Sequence, residues 1–183
     1  MVDFPGVGVY EPRWPGVKEL NLADQWRARW VNEQELPEHA PVHYVYALLL
    51  MGDKGYAVRE AGSNRWGMVE GLVGTQSAEE FLASAMMEQA GATIARAELA
   101  GFLECRPTRF NTEFSKDQLT VRPIYVVAAK SIADLPSGSR FERRRFPLNE
   151  YVVAMRARYP EFLDQLTQAF SHYAVMQAKA QSR

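Results

Sequence analysis

The order of apolar segments predicts a mixed α/β fold in which helices cover a sheet. Three observations carry that expectation. Residues 42–51 (VHYVYALLLM) and the IYVVAA run inside residues 119–130 are continuous apolar stretches of buried-strand length. One amphipathic helix between them has a start signal at Ser77 and a stop signal at Gly91. A closing helix follows Pro160 and shows Leu163, Leu166, Phe170, Tyr173 and Ala174 on one face.

Residues 1–18 are rich in Gly and Pro and read as irregular, with a short strand near residues 7–10. Leu22, Trp26 and Trp30 recur every four residues, so residues 21–33 are expected to form a helix, bounded by Pro37 and Pro41. Its two tryptophans must be buried, by the domain itself or by a second subunit. Residues 1–41 thus form an N-terminal extension with a short helix, and residues 42–183 form the main domain. Gly52-Asp53-Lys54-Gly55 turns the chain into a second strand over residues 56–59, and residues 61–64 loop towards Trp66. Ser77 is a good N-cap, Glu79 and Glu80 suit the first turn, and Gly91 suits the C-cap. Strands are expected over residues 93–105, with a bend at Gly101, and over residues 119–130. Residues 106–116 and 134–139 are loops. Arg140, Arg143, Arg144 and Arg145 are read as a solvated, mobile face.

Composition narrows the function. The 183 residues include 47% apolar and 23% charged side chains, ordinary for a globular domain. A net charge of −1 gives no electrostatic basis for gripping nucleic acid or an acidic membrane. Cys105, the single cysteine, forms no internal disulfide and reads as a buried strand thiol in a reducing compartment. The first residues lack a basic start followed by an apolar core, and no apolar run reaches the ~18 residues of a membrane span, so the expectation is a cytoplasmic protein. His39 and His43 are separated by Pro41 and have no cysteine partners, which speaks against a zinc site. There is no nucleophile-elbow serine and no phosphate-binding loop with its lysine.

The stretch from Trp66 to Gly91, WGMVEGLVGTQSAEEFLASAMMEQAG, carries the most information. A strand hairpin, an arginine ending its second strand, a Trp, a glycine turn and a helix ending at glycine together resemble the Nudix hydrolase family, over about residues 42–155. That family's signature runs Gly, five residues, Glu, seven residues, Arg-Glu-apolar-any-Glu-Glu-any-Gly, and a Trp and a Pro-Gly-Gly turn usually precede it. Trp66 matches the Trp. Val69-Glu70-Gly71 stands where Pro-Gly-Gly is usual. With Gly91 as anchor, Gln76 falls on the first Glu, Ser84 and Ala85 replace Arg-Glu, Met86 matches the apolar position, and Glu88 and Gln89 fall on the closing pair. The resemblance implies an α/β/α sandwich with a mixed sheet. It also implies Mg²⁺ or Mn²⁺ held by helix carboxylates, bridging a diphosphate and activating water. In this chain only Glu88 of the acidic triplet remains, so Glu88 is the one candidate metal and catalytic residue there.

Arg59, at the end of a strand facing the expected cleft, and Arg122 are candidate ligand-binding residues, because guanidinium groups bind phosphate or carboxylate bidentately. Trp66 and Glu104 join them. The expected partner is a nucleotide or phosphorylated small molecule. Three functional readings follow. One is a binding or interaction module on a degenerate catalytic box. The second is a divergent Mg²⁺-dependent hydrolase of nucleoside diphosphate derivatives, using Glu88, Glu104 and Glu70 or Glu79. The third is a subunit of a homo-oligomer, such as a homodimer, built through the Trp26/Trp30 helix or the terminal helix.

Overall fold

The central strands are sealed on both faces. In the computed structural model, which describes residues 2–3, 9–10 and 19–183, β5 (Tyr44–Met51) alternates strictly between two cores. Val45, Ala47 and Leu49 face one helix layer, and Tyr46, Leu48 and Leu50 face the other. Double burial explains why this strand reads as a continuous apolar run rather than an alternating one. Each fully buried leucine contributes about 1.5–3 kcal/mol.

With β3 (Glu19–Leu22) and β4 (Trp26–Val31) at one edge, the strands form an eight-stranded mixed sheet in the order β10–β6–β5–β9–β8–β4–β3, and β7 (Val69–Leu72) also pairs with β5. β6 is Lys54–Glu60, β8 is Ala92–Pro107, β9 is Thr120–Ile132 and β10 is Phe141–Pro147. The β5–β9 pair is parallel and the other pairs are antiparallel. A register shift between Leu99 and Gly101 marks the expected bend in β8, where the Trp30 indole lies against Gly101. Helix α1 (Ala78–Ala90) covers one face of the sheet. α2 (Leu148–Arg158), a 3-10 turn at Pro160–Phe162 and α3 (Leu163–Gln181) cover the other. Among the described residues no helix is long and apolar enough to cross a membrane.

The expected helix over residues 21–33 is instead a β-hairpin, β3 (Glu19–Leu22) and β4 (Trp26–Val31), which extends the main sheet along β8. The physical reason is that a spacing of four is even, so it places residues on one face of a strand as well as of a helix. Ala28 decides the case. It is fully buried between Trp26 and Trp30, as period two requires. The turn has positive φ at both Ala23 and Asp24 and a bond from the Gln25 N–H to the Leu22 carbonyl, but lacks the Asn-Gly signal such turns usually carry. Both indoles are covered by this chain. Trp26 packs against His43 and Phe114, and the Trp30 indole N–H donates to Gln168 of α3 at 2.9 Å. The expected irregular stretch 1–18 lies largely outside the described residues. Within it β1 (Val2–Asp3) pairs with β2 (Val9–Tyr10).

Two further expectations change. α2 lies within the main domain without a sequence signal, because it has no side-chain cap and only Tyr151 and Met155 are buried. On α3, Leu166, Ala169, Tyr173 and Met176 are buried, whereas Leu163 and Ala174 are exposed. The layer fits closely at Gly55, where an added Cβ would fall inside the Tyr151 ring. Gly55→Ala is therefore expected to destabilise the protein by about 1–3 kcal/mol through overpacking, read as a lower midpoint in urea unfolding.

Candidate functional site

α1 is held in place at both ends. Ser77 accepts from the Glu80 N–H while the Glu80 carboxylate accepts from the Ser77 N–H, a complete capping box. Gly91 closes the helix with φ of 64°, and the Arg143 guanidinium donates to the carbonyls of Ala90 and Ala133 at 2.5 and 2.6 Å. The arginine-rich segment read as a mobile face is thus the edge strand β10, antiparallel to β6, with Arg143 bonded across to the end of α1.

Beside α1 opens a cleft of about 670 Å³. One wall is Gln76, just before α1, with Phe81, Ser84, Ala85, Glu88 and Gln89 of α1, which include every signature position in which this chain departs from the acidic pattern. Strand and loop residues complete it, among them Tyr44, Arg59, Arg65, Glu70, Arg140, Arg158 and Tyr159.

The side chains at the positions where the signature resemblance implies metal ligands are committed elsewhere. Glu88 pairs with Arg140 at 3.0 Å in a largely exposed ion pair, an arrangement worth at most about 1 kcal/mol. Gln89 is buried, and its carboxamide ties α1 to β7 by donating to the Glu70 carbonyl at 3.0 Å and accepting from the Glu70 N–H at 3.4 Å. Gln76 donates to Ser84 at 3.3 Å. Ala85 has no donor atom. Hard cations need several anionic oxygens, and among the described residues no group of three or more His, Cys, Asp or Glu comes together. The residues present do not fit Mg²⁺ or Mn²⁺. The carboxylates of the divergent hydrolase arrangement are also spread out. Glu88 and Glu70 line the cleft, Glu79 lines a separate pocket with Tyr125, and Glu104 is fully buried in β8 outside the cleft.

The remaining candidates divide as well. Arg59 lies 4.3 Å over the Trp66 ring and pairs with Glu142 of β10 at 2.6 Å. It stands in the cleft wall with Arg65, Arg140 and Arg158. Arg122 stands outside that wall, between the rings of Trp26 and Tyr44, 3.4 Å from the Tyr46 hydroxyl. Sequence reasoning had no reason to place Arg65, Arg158, Tyr44 or Tyr159 in a cleft. The nearest sequence signal was Pro160, read as the first turn of the closing helix. Cys105 is fully buried, and burial pushes its thiol up to about 12.

A sheet between two helix layers, with a ligand-sized cleft on a capped mid-chain helix, defines an α/β sandwich. Solved structures say which class. The chain is similar to a mutant of the Bacillus subtilis pyrophosphohydrolase BsRppH at 16% identity, over 70% of this chain and 77% of that one, with a TM-score of 0.54. It is also similar to the NUDIX domain of Shewanella oneidensis NrtR complexed with ADP ribose, at 14% identity over 72% of this chain and 89% of that one, with a TM-score of 0.48. A third likeness is to a MutT NUDIX hydrolase from Burkholderia pseudomallei, at 16% identity over 60% and 84% of the two chains, with a TM-score of 0.43. No family model matches the sequence, and no curated protein matches it. The chain has the Nudix fold, and at these identities the likeness speaks of fold alone.

Two outcomes test the site's description. Gln89→Glu puts an acid at this signature position but cannot donate to the Glu70 carbonyl, so it is expected to lower stability by about 1–3 kcal/mol, measured by urea unfolding. Cys105 is expected to resist alkylation in the native protein at pH 8 and to react at once in denaturant, since a raised thiol pKa leaves almost no thiolate. Mass spectrometry reads both states.

Proposed function

We propose that this Nudix-fold protein binds a phosphorylated small molecule, of the nucleotide-derivative class, in the α1 cleft and hydrolyses it weakly or not at all. The observation that carries this reading is the charge of the cleft walls. Arg59, Arg65, Arg140 and Arg158 line it, against Glu60, Glu70 and Glu88. A metal-dependent site needs its anions gathered to hold the cation that in turn meets the phosphate. Here guanidinium groups supply positive charge to the cleft directly, and Arg140 already engages the remaining signature carboxylate. Guanidinium groups bind phosphate oxygens in bidentate fashion, which favours holding a ligand over activating water. A cleft of this volume accommodates a whole small ligand. A reducing, cytoplasmic setting suits the buried Cys105 thiol.

Purified protein is expected to show a positive thermal shift with nucleoside diphosphates and their derivatives in the absence of divalent metal. Arg59→Ala should weaken binding about tenfold, in line with the loss of one charge-assisted contact of ~1.5 kcal/mol. With Mg²⁺ or Mn²⁺ present, phosphate release should stay at background. Turnover that Glu88→Gln abolishes would instead establish the divergent hydrolase.

A further inference from the structure

Two carboxylates in the cleft, Glu60 and Glu70, lie off the signature helix and in no ion pair among the described residues, and Glu70 is the one held from two sides. Glu70, on β7, accepts from the Tyr44 hydroxyl at 2.8 Å through one oxygen and from the Tyr159 hydroxyl at 2.5 Å through the other. The Tyr159 oxygen itself accepts from the Met68 N–H at 2.8 Å, which turns its single proton towards Glu70. Burial, and then the Glu70 charge, raise the pKa of both tyrosines far above the usual phenol range, so both remain donors. Gly67 makes the arrangement sterically feasible, because a Cβ there would collide with the Tyr159 hydroxyl. The result is a carboxylate of fixed orientation in the wall of an arginine-lined cleft.

Each carboxylate oxygen has two lone pairs, and the tyrosines use one on each. What remains on Glu70 can only accept. A ligand made solely of phosphate oxygens offers it nothing but repulsion, and Arg65 and Arg158, which have no carboxylate partner among the described residues, disfavour an ammonium group. A neutral hydroxyl satisfies both demands.

We propose that Glu70 forms a hydroxyl-reading subsite, so that the cleft selects a phosphate ester carrying free hydroxyls beside its phosphate, as a sugar or polyol phosphate does. This rests on the phosphate-binding reading of the cleft and adds the residue that gives it selectivity. The rival role for the cluster is a purely structural tie between α2 and β7. That role predicts equal effects on every ligand.

Calorimetric titration of ribose 5-phosphate, methyl phosphate, ethanolamine phosphate and pyrophosphate into the wild type and Glu70→Gln separates these cases. The wild type is expected to bind ribose 5-phosphate at least tenfold more tightly than methyl phosphate. Glu70→Gln should lose about tenfold for ribose 5-phosphate while pyrophosphate binding holds or tightens, because a negative charge has left the cleft. Equal losses for all ligands, no preference for the ribose in the wild type, or a preference for ethanolamine phosphate each overturn the proposal while leaving phosphate binding intact. A protein that binds none of the four overturns the phosphate reading and the subsite together. Should Glu70→Gln fail to fold, Tyr44→Phe serves as the second variant. It frees Glu70 from one donor and should shift ribose 5-phosphate affinity severalfold with methyl phosphate unchanged, and no shift overturns the subsite.

Discussion

Everything in this molecule depends on the burial of both faces of β5 and β9. Their side chains leave water on two sides at once, so helices must cover the sheet twice. α1 covers one face, and α2 and α3 cover the other. The cleft exists because α1 is anchored at its two ends, by the Ser77 capping box and by Gly91 with Arg143, and braced near its C-terminus by Gln89 against β7. The cleft therefore lies on a rigid element rather than on a free loop.

Charge in that cleft is organised differently from a metal site. Family-type chemistry gathers carboxylates to recruit a cation. Here the cations are covalent parts of the chain. Arg140 comes from the start of the β10 edge, Arg59 from β6 and Arg158 from the end of α2. Three separate parts of the chain thus bring guanidinium groups to one place. Arg59 is oriented by Glu142 and by the Trp66 face, which limits its rotamers before any ligand arrives. Pre-organisation of this kind lowers the entropy lost on binding.

The fold was legible where a signal had only one interpretation. The α1 boundaries follow from Ser77, Glu80 and Gly91, because caps are local chemistry. The Cys105 environment was legible from its apolar neighbours. Trp26 and Trp30 misled because a four-residue spacing serves two periodicities, and only the pairing with β8 selects one. α2 gave no warning because its stability comes from packing of Tyr151 on Gly55 and not from a cap or a broad apolar stripe. In the site, the helix wall could be read from the spacing of Gln76, Ser84, Ala85, Glu88 and Gln89. The opposite wall could not, since Tyr44 and Tyr159 lie 115 positions apart in the chain (159 − 44) and meet only at Glu70.

The sequence by itself determined the layered α/β class, the capped helix and the residues Ala85, Glu88 and Gln89 along it, because these rest on hydrophobic period, capping chemistry and residue identity along one segment. Tertiary structure alone decided the pairing of Glu88 with Arg140, the use of Gln89 as a brace and the clamping of Glu70 between two tyrosines. Those are contacts between distant segments. Their partners are chosen by how the sheet and helices pack, and no local pattern in the chain encodes that choice.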